Sequence, residues 1–126
     1  MRCSGNFAAL RELQGDGYWY LATPYSKYPA GIHDAFMHAS MAAMEFLRLG
    51  IRVYCPISHT HPIAIFGRHD PLDHKTWLAL DRPFMEAAVG LVIVKMPSWE
   101  ESAGIKMETE EFRAAGKPIH YFEANI

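Results

Sequence analysis

The run Leu91-Val92-Ile93-Val94 constrains this chain most, because an unbroken apolar stretch of that kind suits a strand covered on both faces. Such a strand needs helices above and below it, and the rest of the sequence supplies them. Tyr18 to Ala22 is aromatic-rich and bounded by Gly17 and Pro24, which predicts a first strand. Ile32 to Leu49 predicts a helix, with Ile32, Phe36, Ala39, Ala43, Phe46 and Leu47 at inward spacing and Gly50 as its stop. Ile51 to Cys55 is a second strand ended by Pro56, and Ile57 to about Asp73 follows as a long loop rich in His, Pro and Gly. Asp73 to Ala88 is helical in composition, with a break or fresh start expected near Asp81-Arg82-Pro83. Glu101 to Ala115 is a helix stopped by Gly116-Lys117-Pro118, and Ile119 to Phe122 is a last strand.

Strands that alternate with helices imply right-handed crossovers. The expected fold is α/β, a flavodoxin- or Rossmann-like three-layer domain with a four- or five-stranded parallel sheet in the order 2-1-3-4, with a possible fifth strand. Residues 18–126 would form this domain, and residues 1–17 an N-terminal tail or short helix, with Phe7 to Leu13 as its amphipathic part. Ligands of such sheets bind beyond the C-terminal strand ends. Three loops converge there, spanning 23–31, 57–73 and 95–104.

One carboxylate stands out. On the last helix Ile105, Thr109 and Phe112 define the inward stripe, and Glu108 falls inside it. An unpaired inward carboxylate is costly, so it calls for a reason. It could serve as a nucleophile toward a sugar carbon, or it could bend to a backbone amide or to a cation such as Lys106. Ser102-Ala103-Gly104 precedes it, where free N–H groups at a helix start suit a phosphate or carboxylate and where Ser102 could equally be a plain N-cap. Asp81 has the same double reading, as a functional acid or as the cap of a restarting helix.

The run Tyr20-Leu21-Ala22-Thr23-Pro24-Tyr25-Ser26 resembles the first strand and loop of the nucleoside 2-deoxyribosyltransferase superfamily. Ser102-x-Gly104-x-x-x-Glu108, closed by Gly116-Lys117-Pro118, is similar to that superfamily's active-site helix. Within it, the chain is similar to a small bacterial and phage family of unknown function with Tyr-Leu-Ala-Thr-Pro-Tyr, Trp-Leu-x-Leu-Asp-Arg and Trp-Glu-Glu-Ser-x-Gly segments, here at 20–25, 77–82 and 99–104. The resemblance covers 18–122. It implies cleavage or transfer at the N-glycosidic bond of a nucleoside or nucleotide, by a 2-deoxyribosyltransferase or an N-glycoside hydrolase without a cofactor. It implies Glu108 as the nucleophile and Asp81 as the residue handling the proton of the departing base. Ser102 and Gly104 match a 5′-phosphate-binding segment, and Tyr25 and Ser26 lie in a loop that contacts sugar, base or phosphate. The first loop has Pro24 and Tyr25 where some nucleotide hydrolases are glycine-rich, which leaves nucleoside against nucleotide open. The resemblance also implies a homodimer or larger homo-oligomer.

His59, His61, His69 and His74 gather in one stretch, with Asp70 and Asp73 nearby, but their spacing fits no established metal signature. They are expected as polar groups roofing the pocket, with His59 and Trp77 as substrate contacts and no bound metal. Trp77, Trp99, Tyr25 and Tyr28 are candidate stacking surfaces for a base. The competing functions are a non-catalytic nucleotide-binding module on the same fold and a metal-dependent hydrolase built on the His59 to His74 stretch. With 12 basic and 14 acidic residues and no basic run, a nucleic acid polymer is not an expected partner. No apolar run approaches a membrane span, and two unpaired-looking cysteines, Cys3 and Cys55, fit a cytoplasmic protein.

Overall fold

The computed structural model describes residues 1–126 as one α/β unit. The sheet contains β1 (Arg2–Ser4), β2 (Trp19–Ala22), β3 (Val53–Tyr54), β4 (Gly90–Lys95) and β5 (Ile119–Asn125), in the spatial order β1-β5-β4-β2-β3. The helices are α1 (Phe7–Leu13), α2 (Ile32–Arg48), α3 (Pro56–Phe66), α4 (His74–Ala87) and α5 (Ala103–Ala114), with a short 3-10 turn at Trp99–Glu101. The four strands expected from the sequence are parallel neighbours in the expected order. The sheet as a whole is mixed rather than purely parallel, since β1 pairs antiparallel with β5, Arg2 opposite Asn125.

Alternation in the two central strands builds the core. Trp19, Leu21, Val92 and Val94 face one side, with Leu10 of α1 and Ala35, Ala39, Ala42 and Phe46 of α2. Tyr20, Ala22, Leu91 and Ile93 face the other, with Met85 of α4 and Ile105 and Phe112 of α5. All four residues of β2 are fully buried, as two-sided cover requires. Gly90 starts β4 because a side chain there would collide with the Pro118 carbonyl and the Trp19 ring, each 2.5 Å from where its Cβ would lie.

Residues 1–17 are part of this core, supplying a strand as well as the helix. The Phe7 ring packs at a tilt against Phe46 and Phe122, at ring separations of 5.4 and 4.8 Å. Gln14 donates to the Gly50 carbonyl and accepts from the Arg52 amide, tying α1 to the turn before β3.

Four expectations about helices change. The expected loop from Ile57 is mostly helix α3. Pro56 fits its first turn, and Pro62 removes only one hydrogen bond. Its apolar residues circle the axis, with Ala64 buried and Ile63, Ile65 and Phe66 exposed, so no helical stripe shows in the sequence. α4 runs through Pro83 without a restart, because Ala79, whose carbonyl loses its partner, lies on an exposed flank. α5 begins at Ala103, later than expected, since Ser102 caps it. On α2 the buried stripe is Ala35, Ala39, Ala42 and Phe46, which leaves Met37, Met41, Met44 and Leu47 exposed on another face. No helix is long and apolar enough to cross a membrane.

Candidate functional site

A cleft opens at the C-terminal edge of the parallel strands. It is walled by the loop after β2, the start of α3, the inward side of α4 and the first turns of α5. Counted to its open mouth, it holds about 700 Å³ of free space. Of the residues singled out from the sequence, Tyr25, Ser26, Trp77, Asp81, Ser102, Gly104 and Glu108 all line it.

The α4 contribution follows from spacing. His74, Trp77, Leu78, Asp81 and Met85 fall at i, i+3, i+4, i+7 and i+11 and so present one stripe to the cleft. Asp81 is therefore an inward mid-helix residue, and the cap of α4 is Asp73, whose side chain accepts from the Thr76 amide. Asp81 is 9% exposed, and Tyr54 donates its hydroxyl to it at 3.4 Å. Burial pushes the Asp81 carboxyl up to about 6, against the pull of the Tyr54 and Tyr20 hydroxyls toward the ionised form.

Glu108 enters from α5. Ile105, Thr109 and Phe112 are buried as expected, while Glu108 is half-buried and turned into the cleft. Protein encloses it away from the mouth, and this burial, with a smaller addition from the charge of Asp81, pushes its carboxyl up to about 8. It pairs with no cation: Lys106 is exposed and no Lys or Arg lines the cleft. Ser102 is both the cap of α5, accepting from the Ile105 amide at 3.2 Å, and a cleft residue. Its hydroxyl proton stays free to donate. A side chain at Gly104 would meet nothing closer than the Ser102 hydroxyl at 3.8 Å, so glycine there keeps the wall of the cleft low.

Tyr20 is the main residue that the motif reading passed over. Its strand alternates, so Tyr20 points to the α4 and α5 side, while Trp19 points to α2. That alternation together with the inward Glu108 was the available signal. The Tyr20 hydroxyl lies close enough to favour the ionised forms of both Glu108 and Asp81, yet it meets neither in full hydrogen-bond geometry. The Thr23 hydroxyl, also at the cleft, is likewise buried and unpartnered. Two such groups leave donors for a bound molecule to satisfy.

The histidines do not converge. His59 lies outside the cleft wall, its Nδ1 2.9 Å from the Tyr54 hydroxyl, which corrects its expected place as a substrate contact: the helical path of α3 turns it toward β3. His61 is buried behind Tyr25, Nδ1 to hydroxyl 2.5 Å, and its Phe36 neighbour stacks on it at 4.6 Å. His69 pairs with Asp73. Only His74 lines the cleft, and no cluster of three metal-ligating side chains forms. Among the aromatics, Trp77 and Tyr25 face the cleft. Tyr28 instead bonds to His38, and Trp99 packs on Tyr121.

Residues 17–124 match the family model described as Domain of unknown function (DUF1937). No curated protein matches the chain.

Proposed function

This chain belongs to the DUF1937 family, and we propose that it cleaves or transfers the N-glycosidic bond of a nucleoside or nucleotide. The observation that carries this reading is the pair of carboxyls, Asp81 and Glu108, brought from two helices to one cleft, both raised by burial and facing no cation. Departure of a base leaves positive charge on the sugar carbon, which a facing carboxylate stabilises or captures. The departing nitrogen needs a proton from a group that still holds one near neutral pH. The likeness to nucleoside 2-deoxyribosyltransferases assigns the first role to Glu108 and the second to Asp81. Glu108 is the more strongly raised of the two, so the productive form is the minor one in which the proton the pair shares near neutral pH sits on Asp81. The absence of Lys and Arg from the lining leaves the developing cation unopposed. Tyr25, Ser26, Ser102, Gly104 and Trp77 would hold sugar, base or phosphate. The flavodoxin- or Rossmann-like description of the parallel strands belongs to the same reading.

The test is a panel of nucleosides and 5′-nucleotides assayed for free base, with and without an acceptor base and with a chelator. Chelator-resistant release is expected, and a new nucleoside in the presence of acceptor would mark a transferase. Saturable binding without release from any substrate would make the chain a nucleotide-binding module instead. Activity lost to chelator and restored by zinc would point to metal-dependent hydrolysis.

The same reading includes a homodimer. The exposed α2 face is self-complementary: two copies of α2 crossing antiparallel about Met41 would set Asp34 of one against Arg48 of the other, with Met37 and Met44 between. Light scattering is expected to give twice the chain mass, falling to one chain in Met41→Glu. A wild-type monomer at high micromolar concentration would refute it.

A further inference from the structure

Asp81 is connected to the protein exterior by a short polar chain that the cleft does not contain. Its carboxyl accepts from the Tyr54 hydroxyl, 3.4 Å away, and the same hydroxyl lies 2.9 Å from Nδ1 of His59, on the exposed side of α3. The Tyr54 ring is held for this by flat stacking on Phe84 of α4, at 4.3 Å and 2° between planes. Phe84 also meets the His59 ring edge-on at 6.2 Å. The hydroxyl has one proton for two neighbours, so the two ends of the chain cannot choose their states separately.

We propose that His59, acting through Tyr54, controls whether Asp81 carries its proton. When His59 is protonated, its Nδ1–H donates to the Tyr54 oxygen. The Tyr54 proton then points to Asp81 and favours the carboxylate. When His59 is neutral with its proton on Nε2, Nδ1 accepts from Tyr54, whose oxygen now faces Asp81 as an acceptor and favours the protonated acid. No bond is made or broken in this reorientation beyond the exchange of the His59 proton with water. His59 and Tyr54 are thus positioning residues. Their consequence for turnover rests on the reading of Asp81 as proton donor, whereas the coupling itself belongs to the protein alone. The other ionisable groups facing the chain are Tyr18, just before β2, Tyr20 of β2, Cys55 beside Tyr54, and Glu108 of α5. None of them is a cation, so His59 is the one neighbour able to bring positive charge to this hydroxyl. Burial holds the Tyr54 hydroxyl above its ordinary range, which keeps it a neutral intermediary throughout.

The experiment is a carbon and nitrogen NMR titration of the Asp81 carboxyl and the His59 ring in the free protein, which needs no substrate. In the wild type the two curves should be mutually dependent: Asp81→Asn should move the His59 midpoint, and His59→Ala the Asp81 midpoint, because coupling is reciprocal. In Tyr54→Phe the Asp81 midpoint should rise by about one pH unit as the donor is lost. In that background His59→Ala should change nothing further. Independent titration in the wild type, or coupling that persists in Tyr54→Phe, would overturn the proposal. Loss of base release with coupling intact would sink the glycosidic reading and leave this one standing.

Discussion

Replacing Glu108 by Gln should lower release of free base by a factor of about 10³ or more and at the same time make the protein more stable in alkaline solution. The first effect follows from the loss of the only carboxylate on α5 that faces the cleft, since an amide of the same shape can neither capture nor balance charge on the sugar carbon. The second follows from linkage. The folded protein holds the Glu108 proton up to about 8, well above the ordinary 4.5, because burial penalises the ionised form. A carboxyl raised in this way costs nothing while both states are protonated. Its penalty grows as pH climbs from about 4.5 and is complete above about 8. The amide carries no such penalty. Wild type and Glu108→Gln should therefore melt together near pH 4.5 and separate above it, reaching a gap on the order of 3–5 kcal/mol beyond pH 8. Thermal melts across that range check the stability, and single-turnover base release checks the chemistry. Full activity in the amide variant would end the case for Glu108 as nucleophile. Parallel melting curves would show that the carboxyl is not held in a penalising environment.

The second large effect is expected in Asp81→Asn. Between about pH 6 and 8 the two carboxyls together hold one proton, the state that supplies one acid and one carboxylate. The wild-type profile of kcat/KM should be a bell with limbs near those values. Below the acid limb the carboxylate is lost, and above the alkaline limb the acid is lost. In Asp81→Asn only Glu108 remains to titrate, so the alkaline limb should vanish and activity should rise to a plateau. The plateau should lie about 10² to 10³ below wild type for an ordinary base and much closer to it for a substrate whose base leaves without a proton. A bell that keeps its alkaline limb, or equal losses for both kinds of substrate, would remove Asp81 from the proton step.

Much of this arrangement was legible from composition and one helical periodicity. The continuous run at Leu91 to Val94 and the aromatic-rich stretch Tyr18 to Ala22 between Gly17 and Pro24 gave the central strands, and the wheel of α5 gave Glu108 its inward place. Three features hid the remainder. The apolar residues of α3 are spread around its axis, and its prolines and histidines imitate a loop, so neither the helix nor the turning of His59 to Tyr54 was visible. Pro83 suggested an interruption because sequence alone does not say that the Ala79 carbonyl it strands lies on an exposed flank, where water can take the lost partner's place. Arg2–Ser4 is too short to show a strand pattern, and its partner lies at the other end of the chain. The cleft-facing stripe of α4, by contrast, was open to a helical wheel once Pro83 was allowed inside the helix, and it would have placed His74 beside Trp77 and Asp81.

That terminal pairing bears on how the molecule assembles. β1 is made early, yet the only strand it can join is the last, so its three residues wait for Glu123 to Asn125 before they have a ladder. Until then the outer flank of β5's future place, the Phe7 ring and the Phe122 contact are unfinished, while β2, β3 and α2 already have one another. A ribosome-bound chain stalled before Ile119 would thus display a greasy, unclosed seam, the kind of surface that chaperones hold.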